Sequence, residues 1–178
     1  KILVVAPHPD DETLGVGGTI AKFSNMGYEV KVLTICGHLP PLYNREDYDK
    51  TVTEAHKAFD ILGVSSSSFL EIPATMISDI PVHELNSKIA QEMNDFQPHM
   101  VFCPYPDRHI DHRLVFDSIM VATRPLGIGR NIEIIAAYET LSETHWNAPH
   151  IEPNFTPNWV IDVTDYIEIK LKALKCYK

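Results

Sequence analysis

Six short apolar runs recur along the chain, ILVVA at 2–6, VKVLTI at 30–35, FLEI at 69–72, MVFCP at 100–104, IEIIAAY at 132–138 and WVIDV at 159–163. They are rich in β-branched residues and mostly continuous rather than alternating, as strands buried on both faces must be. Between them, apolar positions fall at helical spacing over 14–26, 46–62, 82–95, 112–123 and 164–177. Gly63 follows the second of these helices, Pro81 precedes the third, and Thr164 stands where the last needs an N-cap. The alternation of strand and helix predicts an α/β fold, a mostly parallel sheet covered on both faces and joined by right-handed crossovers. Ligands of such folds bind beyond the carboxyl ends of the strands. The irregular stretches 36–45 and 139–158 are expected to form rim loops, and the serines at 65–68 a turn into the third strand.

Composition narrows this picture. A chain of 178 residues with 44% apolar content can bury a real core, and a single domain over 1–178 is expected. The net charge of −9 supplies no basic face for a phosphate backbone, so nucleic acid is not an expected partner. Cys36, Cys103 and Cys176 are too few and too scattered for a disulfide framework or a cysteine-rich zinc knuckle, which fits a reducing compartment. With no apolar stretch long enough to span a bilayer and no signal-peptide pattern at the start, the expected location is cytoplasmic. The chain opens without Met and stops at CYK with no helix-ending signal, so residues are expected to be missing at its ends. Its oligomeric state is open, and a homo-oligomer is compatible with all of these features.

The chemistry gathers in two places. PHPDDE at 7–12 follows the first strand and offers His8, Asp10, Asp11 and Glu12; YPDRHIDH at 105–112 follows the fourth and offers His109, Asp111 and His112. A turn needs Pro and Asp but no histidine and no third acid. Histidine nitrogens and carboxylate oxygens suit zinc, and a catalytic zinc takes three protein ligands with one position left open. Either cluster alone reads as ordinary surface polarity. Two on one sheet edge read as a site.

PHPDDETLG, DRHIDHR, YETLSET beyond the fifth strand and the closing VIDVTDYIEIKLKALKCY together resemble the PIG-L/LmbE-like zinc-dependent N-deacetylases. The resemblance implies a Rossmann-like three-layer sandwich that removes an acetyl group from an N-acetylated amino sugar or conjugate. Matched position by position, it implies Zn2+ or another divalent transition metal on His8, Asp11 and His112. It makes Asp10 the general base toward the attacking water and His109 the stabiliser of the oxyanion. On the residues' own chemistry, a protonated imidazole suits that last task, and Asp111 is expected to orient His109 and raise its pKa. Proton delivery to the amine stays open between Asp10 and His109. Glu12 reads equally well as a loop-fixing residue and as a helix-start acid.

Other features carry less. Gly15-Val16-Gly17-Gly18 fails the dinucleotide frame, since Ile20 stands where the third glycine is needed, and close helix-to-sheet packing explains it better. Arg108 is a candidate substrate contact, with a pair to Asp107 as its alternative, and His38 a second one. Trp146 and Tyr138 are candidates for sugar stacking or for core. Where many members of the resembled family carry Arg, this chain has Thr51, and Pro73-Ala74-Thr75 stands where many have Asp; both departures bear on which sugar is taken. Two rivals are a hydrolase of another carboxamide and a noncatalytic sugar- or nucleotide-binding module. A purely structural zinc is disfavoured because such sites are closed by four ligands, often sulfurs.

Overall fold

The computed structural model describes residues 1–148 and 150–178. Five strands form, β1 (Ile2–Ala6), β2 (Val30–Gly37), β3 (Ser66–Pro73), β4 (Met100–Pro104) and β5 (Ile134–Tyr138). Five α-helices accompany them: α1 (Asp11–Asn25), α2 (Arg45–Leu62), α3 (Val82–Phe96), α4 (Ile110–Ala122) and α5 (Ile167–Leu174). The strands make one all-parallel sheet in the order β3-β2-β1-β4-β5.

Strand β1 lies at the centre, Val4 paired with Val32 on one side and with Phe102 on the other. Its five residues are at most 2% exposed, and the pleat sends Leu3 and Val5 to one face and Ile2 and Val4 to the other. The first face is covered by α3 and α4 through Leu85, Ile89, Met93, Val115 and Ile119. The second is covered by α1, α2 and α5 through Ile20, Ala55, Phe59, Leu62 and Ala173. These are the three layers expected from the sequence. The strand order reverses between β1 and β4, and a crevice opens at the carboxyl ends of two strands whose loops must diverge to opposite layers. Both acid-and-histidine loops leave from those two strand ends.

The structure corrects three local expectations. Segment 159–163 forms no strand and has no ladder partner among the described residues: Trp159 stacks on Phe102 at 6.1 Å and Val163 packs against Gly18, so these side chains cover the sheet and α1 instead of extending the sheet. Ser66–Ser68 do not turn; they belong to β3 and pair with Lys31–Leu33, because an edge strand needs only its backbone to join the ladder and tolerates polar side chains. Thr164 opens a 3-10 turn before α5 rather than capping the helix, and it is Asp162 that accepts from its amide at 2.9 Å.

Gly15 shows why α1 can lie so close to the sheet. A Cβ there would sit 2.2 Å from Cδ2 of Tyr138, a buried residue whose hydroxyl donates to the Val5 carbonyl at 2.8 Å. Gly15→Ala is therefore expected to lower stability by about 1–3 kcal/mol through overpacking, read as a shifted urea midpoint at unchanged slope. An unchanged midpoint would mean that the helix is free to move away.

Candidate metal centre and cleft

Helix α1 begins at Asp11 and α4 at Ile110, earlier than the apolar spacing alone indicated, so Asp11 and Glu12 occupy one first turn and Asp111 and His112 the other. The two helix N-termini come together across the β1/β4 junction. Asp11 Oδ2 lies 3.2 Å from His8 Nδ1 and 3.3 Å from His112 Nε2, which makes this carboxylate oxygen the meeting point of the two loops. It also accepts the His8 backbone N–H at 3.0 Å.

The far nitrogen of each imidazole is held by a buried carboxylate. His8 Nε2 is 2.9 Å from Asp111 Oδ2, and His112 Nδ1 is 3.0 Å from Asp107 Oδ2. Asp107 and Asp111 are both fully buried. Such carboxylates fix ring orientation and increase the basicity of a metal-binding imidazole. Two donors bound at zinc distances and tetrahedral angles stand about 3.3 Å apart, the spacing found here, so His8, Asp11 and His112 fit a divalent transition metal. His109 also turns a nitrogen toward the group, with one ring nitrogen from each of His8, His109 and His112 mutually within 4.8 Å.

Charge follows from this packing. Burial alone would lower the His8 and His112 imidazoles, but their hydrogen bonds to Asp11 and Asp111, and to Asp107 and Asp11, outweigh it and raise them to about 9 and about 10. Burial would raise Asp11, yet hydrogen bonds from His112 and His8 hold it well below the usual carboxylate range. Asp10 behaves oppositely: burial and the adjacent charges of Asp11 and Glu12 push it up to about 8. Its backbone sits at φ 110°, a left-handed conformation costly for a non-glycine residue, and its amide donates to Glu12 Oε2 at 3.2 Å. Glu12 is itself completely buried and accepts from Thr13 at 2.6 Å and from the Tyr177 hydroxyl at 2.8 Å. Of the two readings of Glu12, the loop-fixing one matches these contacts.

The expectation for Asp111 needs correction. Its carboxylate is 4.0 Å from His109 Nδ1 and instead grips His8 and the amide of Thr75, the latter at 2.7 Å. It is the Asp111 main-chain N–H that donates to His109 Nδ1, at 3.2 Å. The net His109 pKa is lowered, first by burial and then by the charges of His8 and His112, which outweigh the raising effect of Asp111 and Glu143. A neutral imidazole with Nδ1 accepting carries its proton on Nε2, so His109 is a hydrogen-bond donor without being a cation.

A cavity of about 200 Å³ opens over this group, reached past His38, Thr51, Ser142 and Glu143. His38 is thus at its rim, exposed, with its ring tilted against Tyr43 at a centroid distance of 4.3 Å. Arg108 does not line the cavity and does not pair with Asp107: its guanidinium lies over the Trp146 ring and its Nε is 3.4 Å from Glu143 Oε2. Tyr138 belongs to the core, while Trp146 is exposed. Hollows of about 600 Å³ beside β5 and about 360 Å³ between α3 and 124–128 are roomier but contain none of the clustered acids and histidines, so chemistry and not volume selects the site. Sequence reasoning missed Asp107 as the holder of His112, although it stands inside DRHIDH; Thr75 and Tyr177 left no sequence signal, because only the fold brings them to Asp111 and Glu12.

Comparison with known proteins agrees with this geometry. The profile of the family described as PIG-L: GlcNAc-PI de-N-acetylase matches residues 3–123. The diacetylchitobiose deacetylase of Thermococcus kodakarensis is 27% identical, over 100% of this chain and 69% of its own length. A probable N-acetyl-α-D-glucosaminyl L-malate deacetylase of Bacillus anthracis is 25% identical, over 99% of this chain and 79% of its own. Among solved structures, N,N′-diacetylchitobiose deacetylase from Pyrococcus horikoshii superposes with a TM-score of 0.76 at 25% identity, covering 98% of this chain and 68% of that one.

Proposed function

The chain belongs to the PIG-L, or GlcNAc-PI de-N-acetylase, family, and we propose that it is a metal-dependent hydrolase that removes the acetyl group from an N-acetylated amino sugar or its conjugate. The observation that carries this reading is the convergence of His8, Asp11 and His112 donor atoms beneath an accessible cleft, with Asp10 and His109 lining it as well. His8, Asp11 and His112 hold the metal. His109 is left out of that set because its Nδ1 already accepts the Asp111 amide, and no sulfur joins the group.

A divalent cation such as zinc, when bound, polarises an amide carbonyl and brings the pKa of water toward neutrality. Asp10, adjacent to the ligand Asp11 but not needed as a ligand, accepts the proton of the water that attacks the acetyl carbon. Its turn is held by the buried Glu12, which limits the carboxylate's reorganisation. His109 donates Nε2–H to the carbonyl oxygen as negative charge develops there, the kind of preorganised donor that favours the transition state over the ground state. The C–N bond then breaks, the proton taken up by the site passes to the amine nitrogen, and acetate and a free amino sugar leave. No helix among the described residues is long and apolar enough to cross a membrane. All three cysteines are free.

The test is release of acetate and a primary amine from N-acetylglucosamine derivatives by protein loaded with one equivalent of zinc. Chelation is expected to abolish the release and added zinc to restore it. Binding of the sugars without hydrolysis would favour the noncatalytic module, and faster cleavage of simple acyl amides would favour another carboxamide hydrolase.

A further inference from the structure

Relatives of nearly equal similarity are described as a deacetylase of diacetylchitobiose, a neutral disaccharide, and as a probable deacetylase of a malate conjugate, so similarity does not choose between a neutral and an acidic substrate. Charge in the cleft does. Among the described residues lining it, none is Lys or Arg, whereas Asp10, Asp11 and Glu143 are acids. Asp10 and Asp11 balance the charge of a dication, and Glu143 is paired with Arg108 at 3.4 Å, so the mouth offers no positive charge in excess.

The cations beside the cleft in sequence are committed to other partners. Arg45, at the start of α2, makes two bonds to Glu71 at 3.0 and 3.1 Å and a third to Asp49 at 2.9 Å. Lys50, next to Thr51, faces Glu54 at 4.0 Å. Arg108, next to His109, is drawn to Glu143 and Trp146, and Arg113, next to His112, bonds the Asp107 carbonyl and Glu152. A carboxylate or phosphate on the sugar would find no unpaired cation and would have to compete with Glu143 for Arg108. Hydroxyls meet a better match in Thr51, Ser142 and His38, which can donate or accept without burying a net charge.

We propose that this cleft selects an electrically neutral N-acetylglucosaminide and discriminates against acidic conjugates, an inference that rests on the hydrolase reading above. Discrimination of this sort works by leaving the charge of the wrong substrate without a partner rather than by extra contacts to the right one.

The experiment compares kcat/KM of the zinc-loaded protein for two matched pairs: N,N′-diacetylchitobiose against N-acetyl-α-D-glucosaminyl L-malate, and N-acetylglucosamine against its 6-phosphate. The neutral member of each pair is expected to be favoured by about tenfold or more. Raising ionic strength from about 20 to about 200 mM should increase kcat/KM for the acidic members by screening and leave the neutral ones level. Thr51→Arg, with zinc content measured alongside, should narrow both ratios by lowering KM for the acidic substrates. Equal or preferred cleavage of the acidic members, or a rate on them that falls with salt, overturns this inference and leaves the hydrolase standing. Failure to cleave any of the four at full metal content defeats the hydrolase reading, and this inference with it.

Discussion

Asp10→Asn should take up zinc in the same amount as the natural protein and turn over about a thousandfold more slowly, the usual range for loss of a positioned base. The amide preserves the shape of the carboxylate and tolerates the left-handed backbone at φ 110°, so fold and metal site should survive, but it cannot accept the proton of the attacking water. Asp10→Ala should fall at least as far and lose some stability too. Metal content, circular dichroism and kcat together separate these effects; near-natural kcat in metal-replete Asp10→Asn would leave the reaction without its proposed base. The pH profile carries the same information. Burial and the neighbouring carboxylates raise Asp10 to about 8 without metal, and a dication facing it brings that value down. Activity should therefore rise with pH as Asp10 loses its proton, along a limb lying below 8, and the Asn variant should lack that limb.

His112→Ala, and likewise His8→Ala, should abolish stoichiometric metal binding and with it all measurable hydrolysis. Each removes one of the two imidazoles that stand beside Asp11 Oδ2. The conservative change one shell further out should be graded: Asp107→Asn, which weakens the hold on His112 Nδ1, is expected to lower metal affinity by about 10–100-fold while leaving stoichiometry intact. Affinity should also depend on pH with a definite sign. In the metal-free protein His8 and His112 titrate at about 9 and about 10, so both carry protons at neutral pH that the metal must displace. Binding should release protons and tighten as pH rises toward those values, as chelator competition and calorimetry in buffers of different ionisation enthalpy would reveal. Full metal content in His112→Ala, or affinity flat from about pH 6 to about pH 9, would remove this residue from the ligand set.

Parts of this protein differ in how openly the chain declares them. β1 and β4 were legible because both faces of each are buried, so the sequence must be apolar throughout, and burial of that kind leaves no alternative pattern. The third strand was legible only over its apolar half. Ser66–Ser68 join it through backbone pairing with β2, which side-chain chemistry does not report. WVIDV misled for the reverse reason: its apolar residues are needed against Phe102 and Gly18, and hydrophobicity cannot tell a residue that covers a sheet from one that extends it.

The residue types and spacing of PHPDDE and DRHIDH were enough to mark a candidate metal site, while the hydrolysis proposed there came with the resemblance to a known family. What the chain could not disclose is which atom serves which. Asp111 was expected to orient and raise His109, but its carboxylate chiefly holds His8; Asp107 entered only as an alternative partner for Arg108 and instead supports His112. Such assignments depend on where α4 starts relative to β1, a matter of a few ångströms set by packing between distant segments. Local sequence determined the elements and the donor set, since burial and coordination each demand particular residue types. Only tertiary structure decided the pairing of imidazole with carboxylate and the neutrality of the cleft mouth, since both arise between residues that the chain keeps far apart.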